Sequence, residues 1–325
     1  PTRRSSDLEH LASRLKGRRR IFVWGEMGAG KSTLAFSLAR FINREFNECQ
    51  MLSLDPGTPF FGIPGAVCHG WWQDNEFEWG NCQALCTLDA ARFRLPLAMA
   101  ARWLISIVEL RDGGDFPVVV DPPGVARGAS GAELLIALAE TLEIDAILAL
   151  YRPGEIPPLK QELASLNAEI IHISSSSQAK RPSASERIEQ RTILWDRFLS
   201  NSAEETFLLD RMHVLGTPPP REKPEIWRGR QIALLSSRGE TVGMGEAVEL
   251  IGEKLRTRIS YPRSKSAPVG ILIRDAARNA EGKLGTVPRV LKQSWRRRVP
   301  AEMRLHASVS NTGEAQVSSQ VGPAW

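Results

Sequence analysis

From residue 6 to residue 199, the chain alternates between two patterns of apolar positions. Five short apolar runs are typical of buried strands, and they occupy residues 20–24, 50–54, 117–120, 146–150 and 169–173. Apolar residues at helical spacing lie before, between and after these runs, at residues 6–15, 34–41, 96–110, 132–142, 159–166 and 183–199. Strands that alternate with helices predict an α/β fold with a mostly parallel sheet covered on both faces.

The pattern changes after residue 215. Gly216–Pro220 has the composition of a linker. Short strand-like runs separated by glycines follow at residues 232–235, 240–242 and 248–251, and they predict a small β-rich domain. We therefore expect an N-terminal helix at 1–17, an α/β domain at 18–215, a β-rich C-terminal domain at 216–290, and a basic and then disordered tail at 291–325.

The loop after the first predicted strand carries a phosphate-binding motif. Residues 25–32 match G-x-x-x-x-G-K-[ST] in full, with a strand before the motif and a helix after it. The alternative, a structural glycine turn, does not require this Lys and Ser. The motif predicts a P-loop domain in which the triphosphate of ATP is bound by Gly25, Glu26, Met27, Gly28, Ala29, Gly30, Lys31, Ser32 and Thr33. Lys31 is expected at the β and γ phosphates, and the Ser32 hydroxyl at Mg²⁺.

Two aspartates stand where predicted strands end. Asp55 follows the second strand and Asp121 the third. In an open α/β sheet, this edge is where ligands bind. Each carboxylate is a candidate for the magnesium shell together with Ser32, and Asp55 is also the candidate general base. The alternative is that either aspartate only caps a turn.

A third candidate group is a pair of arginines on one predicted helix. Arg187 and Arg191 are four residues apart and therefore share a helical face, and the serine run Ser174–Ser177 before them suggests a hinge. Ile188, Trp195 and Leu199 are expected on another face, which would pack the helix down. Arginines on a mobile lid can stabilise a transferring phosphoryl group. The alternative is a solvated helix whose arginines pair with Glu186 and Glu189.

Composition restricts the class of protein. Hydrophobic residues make up 42% and charged residues 24% of the 325 residues, as in globular proteins. No apolar run approaches the roughly 20 residues that span a bilayer, so we expect no membrane association and a cytoplasmic location. The four cysteines are expected to be free thiols. A zinc site could be drawn from Cys68, His69, Cys82 and Cys86, but the spacing is irregular.

The net charge of +5 is unevenly distributed. Basic residues concentrate between Lys254 and Arg304, with few acids to offset them, at Arg256, Arg258, Arg263, Lys265, Arg274, Arg278, Lys283, Arg289, Lys292, Arg296, Arg297 and Arg298. Such a stretch can neutralise the phosphates of a nucleic acid. It can equally be a solvated basic tail.

Taken in order, four blocks of the sequence resemble the polynucleotide 5′-hydroxyl kinases related to the pre-mRNA cleavage-complex kinase subunit, the ribosomal-RNA-processing kinase and archaeal RNA kinases. The blocks are the P-loop with Thr33 and Leu34; Ser53–Thr58 with Ile63–Gly65; Val118–Gly124 with Gly128, at the family's clasp segment; and Ser185–Arg187 with Arg191 and Phe198, similar to its arginine lid. The segments 229–235 and 243–246 look like the C-terminal β-domain of short prokaryotic members.

This resemblance implies transfer of the γ-phosphate of ATP to the 5′-hydroxyl of a nucleic acid, with RNA expected as the partner. Lys31 would hold the triphosphate, Asp55 would be the base, and Arg187 and Arg191 would stabilise the transferring group. The sequence departs from the family pattern at four positions: Ser53 replaces the first acid, Thr58 a Gln, Pro122 the clasp Thr and Val125 the clasp Trp.

These departures leave open a second function, an ATP-binding scaffold in RNA processing without kinase chemistry. A GTPase-like switch is a third possibility, because Asp121–Gly124 matches D-x-x-G, but the sequence has no N-K-x-D motif for reading guanine. The sequence names no protein partner.

Overall fold

The structure is a computed structural model that describes residues 5–46, 48–112, 116–261 and 266–288, all of which fall within one compact unit. The predicted tail at 291–325 lies outside the described residues, as do Arg263, Lys265 and the basic residues from Arg289 onward.

The first sheet has seven strands, with bounds β1 Arg20–Gly25, β2 Gln50–Ser53, β3 Ala66–Gln73, β4 Glu76–Ala84, β5 Val118–Asp121, β6 Ala146–Tyr151 and β7 Glu169–Ser174. They lie in the order β4-β3-β2-β5-β1-β6-β7. Strands β2, β5, β1, β6 and β7 are parallel, which confirms the predicted sheet. The antiparallel β3–β4 hairpin was not predicted, although its turn residues, Asp74 and Asn75, both adopt the left-handed conformation typical of such turns.

Helices cover both faces of this sheet, with bounds α1 Ser5–Arg14, α2 Lys31–Phe46, α3 Arg94–Asp112, α4 Gly128–Thr141, α5 Lys160–Ser165 and α6 Ala184–Leu199. Alternate residues of β1 supply two separate cores. Ile21 and Val23 pack in the core that contains α1 and α2, whereas Phe22 and Trp24 pack in the core of α3 and α4. This burial on both faces fixes the end of β1, where the phosphate loop begins.

The second sheet also has seven strands, with bounds β8 Ala203–Leu208, β9 His213–Gly216, β10 Arg230–Leu235, β11 Thr241–Ile251, β12 Lys254–Ser260, β13 Gly270–Arg278 and β14 Leu284–Thr286. The order is β14-β13-β10-β11-β12-β8, and β9 pairs in parallel with β13. The other neighbours are antiparallel, so the β-rich character expected of the C-terminal part is confirmed.

The boundary of this sheet differs from the one expected at residue 216. Strands β8 and β9 precede that position, yet β8 pairs with β12 and β9 with β13. Gly216 is the last residue of β9 rather than the start of a linker, and the Thr217 amide donates to the Ile273 carbonyl at 2.7 Å. The runs at 240–242 and 248–251 belong mostly to one long strand, β11. Sequence separation hid these pairings, because their partners lie about 50 residues away in the chain.

The described part of the basic segment forms strands, not a solvated tail. Its charges face acids of the same unit: Arg256 lies 3.0 Å from Glu249, Arg258 and Arg278 each lie 2.7 Å from Glu246, and Lys283 lies 2.5 Å from Glu189. These ion pairs hold neighbouring elements together.

The four cysteines are free and buried. The Cys68 and Cys82 sulfurs lie 2.7 Å apart across the β3–β4 hairpin, and the Cys86 thiol donates to the Leu272 carbonyl at 3.4 Å. His69 bonds to Gln50, away from Cys86. Within the described ranges, no three His, Cys, Asp or Glu side chains are arranged to hold a metal ion. None of the described helices is both long and apolar enough to cross a bilayer.

Candidate active site

The predicted phosphate loop joins β1 to α2, as the motif requires. Gly28 and Gly30 adopt left-handed φ values of 82° and 92°, which residues other than glycine rarely adopt. Helix α2 begins at Lys31, so its positive end faces the loop. The Lys31 ammonium donates to the Glu26 carbonyl at 3.2 Å, and the Glu26 carboxylate pairs with Arg127. The loop has the form of an anion-binding site.

Lys31 and Asp121 lie side by side at the buried bottom of the site. Lys31 is 7% exposed and Asp121 is 1% exposed. Burial lowers the pKa of Lys31, and the charges of Asp121, Asp55 and Glu26 oppose that shift. Burial also raises the pKa of Asp121 to about 6, while Lys31 and a hydrogen bond with Ser32 act in the opposite direction. The attraction between the two charges therefore offsets only part of the cost of burying them.

One oxygen of Asp121 has no protein partner among the described residues, although it is buried. Ser53, its neighbour in the β2–β5 register, also has a buried hydroxyl without a described partner. Buried polar atoms are normally paired, so such orphans indicate a missing water, ion or ligand. A carboxylate oxygen beside a hydroxyl is the oxygen chemistry that Mg²⁺ prefers. These residues fit a magnesium ion with its water shell.

Asp55 lies at the same sheet edge but in a different environment. It is half-buried, one of its oxygens accepts from the Gly57 amide at 2.8 Å and from the Thr58 amide at 3.3 Å, and the other accepts from the Thr58 hydroxyl at 3.4 Å. Thr58, which stands where the family has Gln, thus orients Asp55. Asp55 therefore caps a turn and also belongs to the site, because its charge acts on Lys31, Asp121 and Arg191.

Helix α6 brings the two predicted arginines to this edge. Its N-terminus carries a capping box formed by Ser183 and Glu186, a pair whose S-x-x-E spacing is visible in the sequence. The Arg187 guanidinium contacts the Met27 sulfur of the phosphate loop at 3.2 Å and donates to the Pro182 carbonyl at 2.9 Å. Burial and the charge of Arg187 lower the pKa of Arg191, whereas Asp55 raises it. The Arg191 Nε has no described partner.

The packing of α6 differs from the expectation in one respect. Trp195 follows Arg191 by four residues, so it lies on the arginine side of the helix and not on a separate face. Its ring is fully buried and stacks on Phe198, with ring centroids 5.5 Å apart. The C-terminal half of α6 is therefore packed into the core, and the hinge suggested by the serine run stays a prediction for the segment before the helix.

Backbone segments close over the phosphate loop. A Cβ added to Gly28 would lie 2.5 Å from the Arg181 Cα, and one added to Gly124 would lie 2.9 Å from the Met27 Cα. Glycine is thus required at both positions because another backbone approaches closely. The first contact shows that the segment before α6 lies directly on the loop. The second shows that the turn after Asp121 packs on it as well.

Sequence reasoning missed residues after β7 that line the site. Ser175, Ser176 and Ala179 share a cavity of about 280 Å³ with Ala29, Gly30 and Thr33. The Ser175 hydroxyl is buried without a described partner. The serine run suggests only a hinge by its composition, but its position at the carboxyl end of a parallel strand is a signal for a ligand site.

Two other blocks of the resemblance have structural roles. The Gly65 carbonyl accepts the Leu85 and Cys86 amides at 2.7 and 2.8 Å, and the Gln231 side chain donates to the Pro64 carbonyl at 2.9 Å, so the Pro-Gly pair joins the two sheets. Val125, at the place of the family's clasp Trp, packs against the core of α3 and α4. A valine at this place supplies no aromatic surface like that of the family's Trp.

Comparison with curated proteins finds sequence similarity to archaeal proteins that share one name. The chain is 27% identical over 221 residues to a polyribonucleotide 5′-hydroxyl kinase of Pyrococcus horikoshii, a match that covers 65% of this chain and 58% of that protein. It is 35% identical over 201 residues to the enzyme of the same name from Pyrococcus abyssi, covering 61% of this chain and 55% of that protein. The chain thus spans little more than half the length of these relatives. No family model matches it.

The fold matches a solved structure of Clp1p in complex with Pcf11p, with a TM-score of 0.67, 14% identity, and coverage of 85% of this chain and 80% of that one. A second Clp1p–Pcf11p structure matches with a TM-score of 0.64 and 13% identity. Identity this low compares folds alone. Together with the sequence matches, it confirms the predicted resemblance: the chain shares its fold with Clp1p and is similar in sequence to polyribonucleotide 5′-hydroxyl kinases of Pyrococcus.

Proposed function

We propose that this chain transfers the γ-phosphate of ATP to the 5′-hydroxyl of a polynucleotide, with RNA as the substrate. The observation that carries the proposal is the convergence of five charged side chains on one phosphate loop: Lys31, Asp55, Asp121, Arg187 and Arg191. Phosphoryl transfer needs cations around the transferring group and a carboxylate near the attacking hydroxyl. The names of the Pyrococcus proteins support RNA as the acceptor.

The different environments of the two aspartates support different roles. Buried Asp121, next to Ser32 and Lys31, would hold Mg²⁺ together with the Ser32 hydroxyl. The metal would neutralise charge on the β and γ phosphates. Half-buried Asp55 is better placed to accept the proton of the 5′-hydroxyl, since Thr58 fixes its orientation and leaves it accessible. Asp55 could also bind a water of the metal shell.

Arg187 and Arg191 would act on the transferring phosphoryl group. Arg187 touches the loop at Met27, and the interaction of Arg191 with Asp55 supports a role for Arg191 on the acceptor side. In other phosphoryl-transfer enzymes an arginine in this role raises the rate by about 10³- to 10⁵-fold. The cavity lined by Thr33, Ser175 and Ser176 is the site for the nucleoside end of ATP, because it continues directly from the loop.

The test is incubation of the protein with γ-labelled ATP, Mg²⁺ and matched 5′-hydroxyl RNA and DNA oligonucleotides. We expect label on the 5′-hydroxyl RNA and none on the same RNA carrying a 5′-phosphate. Lys31→Met is the control, since it removes the charge at similar volume and should fold yet transfer no phosphate. Equal transfer by this variant would refute the assignment of the site.

The scaffold function remains the second candidate, supported by Ser53 and Val125 at positions where the family has an acid and an aromatic residue. A scaffold would still need Lys31 to bind ATP, as a kinase would, but it would leave every oligonucleotide unlabelled. Competition between ATP and GTP in the same binding assay tests the switch function, which requires a preference for GTP.

A further inference from the structure

The carboxylate of Glu246 joins the second sheet to the arginine helix. Glu246 lies in β11 and is 9% exposed. One of its oxygens accepts from Arg258 at 2.7 Å, and the other accepts from Arg278 at 2.7 Å and from the Trp195 indole at 3.2 Å. Two arginines compensate the buried charge, and the indole donor belongs to α6. A single side chain thus binds three elements.

Further bonds hold the same part of α6. The Arg278 guanidinium, already bound to Glu246, also donates to Asp196 at 2.6 Å. The Leu284 amide donates to the Thr192 hydroxyl at 2.9 Å, and Lys283 pairs with Glu189. Arg278 therefore links Glu246 to the helix a second time, and β14 and the turn before it supply the other contacts. The second sheet fixes both the position of α6 along its axis and its rotation about that axis.

This rotation determines where the arginines point. Arg187, Arg191 and Trp195 follow one another at intervals of four residues, about 6 Å along the axis of a helix. The buried Trp195 indole and Arg191 are therefore one turn apart on one side of α6. A helix is stiff over two turns, so a change in the orientation of Trp195 would redirect both arginines.

We propose that Glu246 is a positioning residue for phosphoryl transfer: through Trp195 and Arg278 it holds α6 in the rotation that directs Arg187 and Arg191 toward the phosphate loop. This inference rests on the proposed function. It gives the second sheet a part in catalysis that is exerted through the helix. The competing explanation is that Glu246 only stabilises the sheet, since Arg258 lies on the neighbouring strand β12 and Arg278 on β13 of the same sheet.

The chain offers a matched control for that explanation. Glu249 lies on the same strand and pairs with Arg256 of β12, but both side chains of this pair are about half exposed and the bond joins two strands of the sheet. Glu249→Gln removes the same charge from the same strand. We expect it to leave transfer at the parent rate, since exposed ion pairs contribute little.

The first experiment is a double-mutant cycle on single-turnover transfer to a 5′-hydroxyl RNA, with Glu246→Gln, Arg191→Ala and the double variant. We expect Glu246→Gln to lower the rate about tenfold with ATP affinity unchanged. Once Arg191 is absent, the same change should cause a clearly smaller loss, because only Arg187 then remains to be misdirected. Fully additive losses, or no loss in Glu246→Gln, would overturn the proposal. Asp196→Asn, an exposed change on α6, should show the same dependence on Arg191 in weaker form even if the Glu246 variant folds poorly.

The second experiment does not require activity. Hydrogen exchange should become faster in α6 of Glu246→Gln than in the parent or in Glu249→Gln, while α2 and β10 keep their protection. Equal loosening of β10 and α6 would make Glu246 a stabiliser of the sheet and would overturn the proposal. If the parent itself transfers no phosphate, the proposed function fails, and this measurement still decides whether Glu246 anchors the helix.

Discussion

At the scale of single residues, the site combines a buried aspartate and a buried lysine. Burial makes the charged form of each side chain energetically costly. Asp121 is enclosed at the end of β5 with one oxygen lacking a described partner, and Lys31 shares its environment. Such an arrangement sacrifices stability for ligand binding. Asp55, only a strand away, is held by turn hydrogen bonds in a more open position. Residues of the same type thus acquire different chemistry from their surroundings.

The raised pKa of Asp121 predicts a dependence of stability on pH. Because its pKa rises from 3.8 to about 6 on folding, Asp121 favours the folded state fully below pH 3.8 and loses that contribution as the pH rises through 6. Asp121→Asn should therefore raise the free energy of unfolding at pH 7.5 by roughly 3 kcal/mol and leave it nearly unchanged at pH 3.5. Urea unfolding at both pH values measures this, and the variant should also lose transfer. An equal pH dependence in parent and variant would contradict the assignment.

At the scale of elements, α6 is the part that the sequence described least completely. Its arginines, its cap and its length are predictable from local spacing, and each is present. The serine run predicts mobility, but Trp195 and Leu199 are buried and the helix bonds to the second sheet. Arg181 covers Gly28, so we expect motion that admits a ligand to the loop to fall on residues 175–183.

Changes on α6 and at Asp55 should have separable effects. Asp55→Asn should lower the single-turnover rate by about 10²- to 10⁴-fold, as loss of a general base does, with ATP affinity nearly kept if Asp121 is the main magnesium partner, as proposed. Arg187→Ala and Arg191→Ala should each lower the rate with little effect on oligonucleotide binding. The double arginine variant should lose less than the sum, since both arginines serve one charge. A near-normal rate in Asp55→Asn would place the base elsewhere.

At the scale of the whole molecule, the second sheet is a structural partner of the α/β part that carries the phosphate loop. It contacts the first sheet through Gln231 and Pro64, and α6 through Glu246. Strand β13 lies between β10 and β14 and also pairs with β9. A truncation after Ile259, which would separate a basic tail if the sequence alone were considered, would remove β13 and expose the core around Trp227 and Ile232.

A truncation after residue 288 tests the basic segment without that damage. It removes Arg289 and the basic residues that follow, and it leaves β13 and β14 intact. We expect ATP affinity to be kept, while RNA affinity falls and its salt dependence becomes shallower by nearly one unit for each phosphate that the shortened protein no longer neutralises. Binding isotherms at several salt concentrations measure both. Unchanged RNA affinity in the truncated protein would leave the segment without a role in binding.

The sequence by itself determined what depends on local spacing. The period of apolar residues defined the five parallel strands, the eight-residue motif defined the phosphate loop, and strand ends marked Asp55 and Asp121. These features follow from backbone geometry over a few residues, so neighbouring positions suffice to predict them. The arginine pair follows from the same kind of spacing.

Only the tertiary structure decided what depends on contacts between distant segments. The start of the second sheet at β8, the anchoring of α6 by Glu246, and the burial that separates Asp121 from Asp55 all arise from pairs far apart in the chain. No local pattern records such pairs, and burial sets both pKa and mobility. The residues that could perform the chemistry were therefore predictable, whereas their environments, which give each its role, were not.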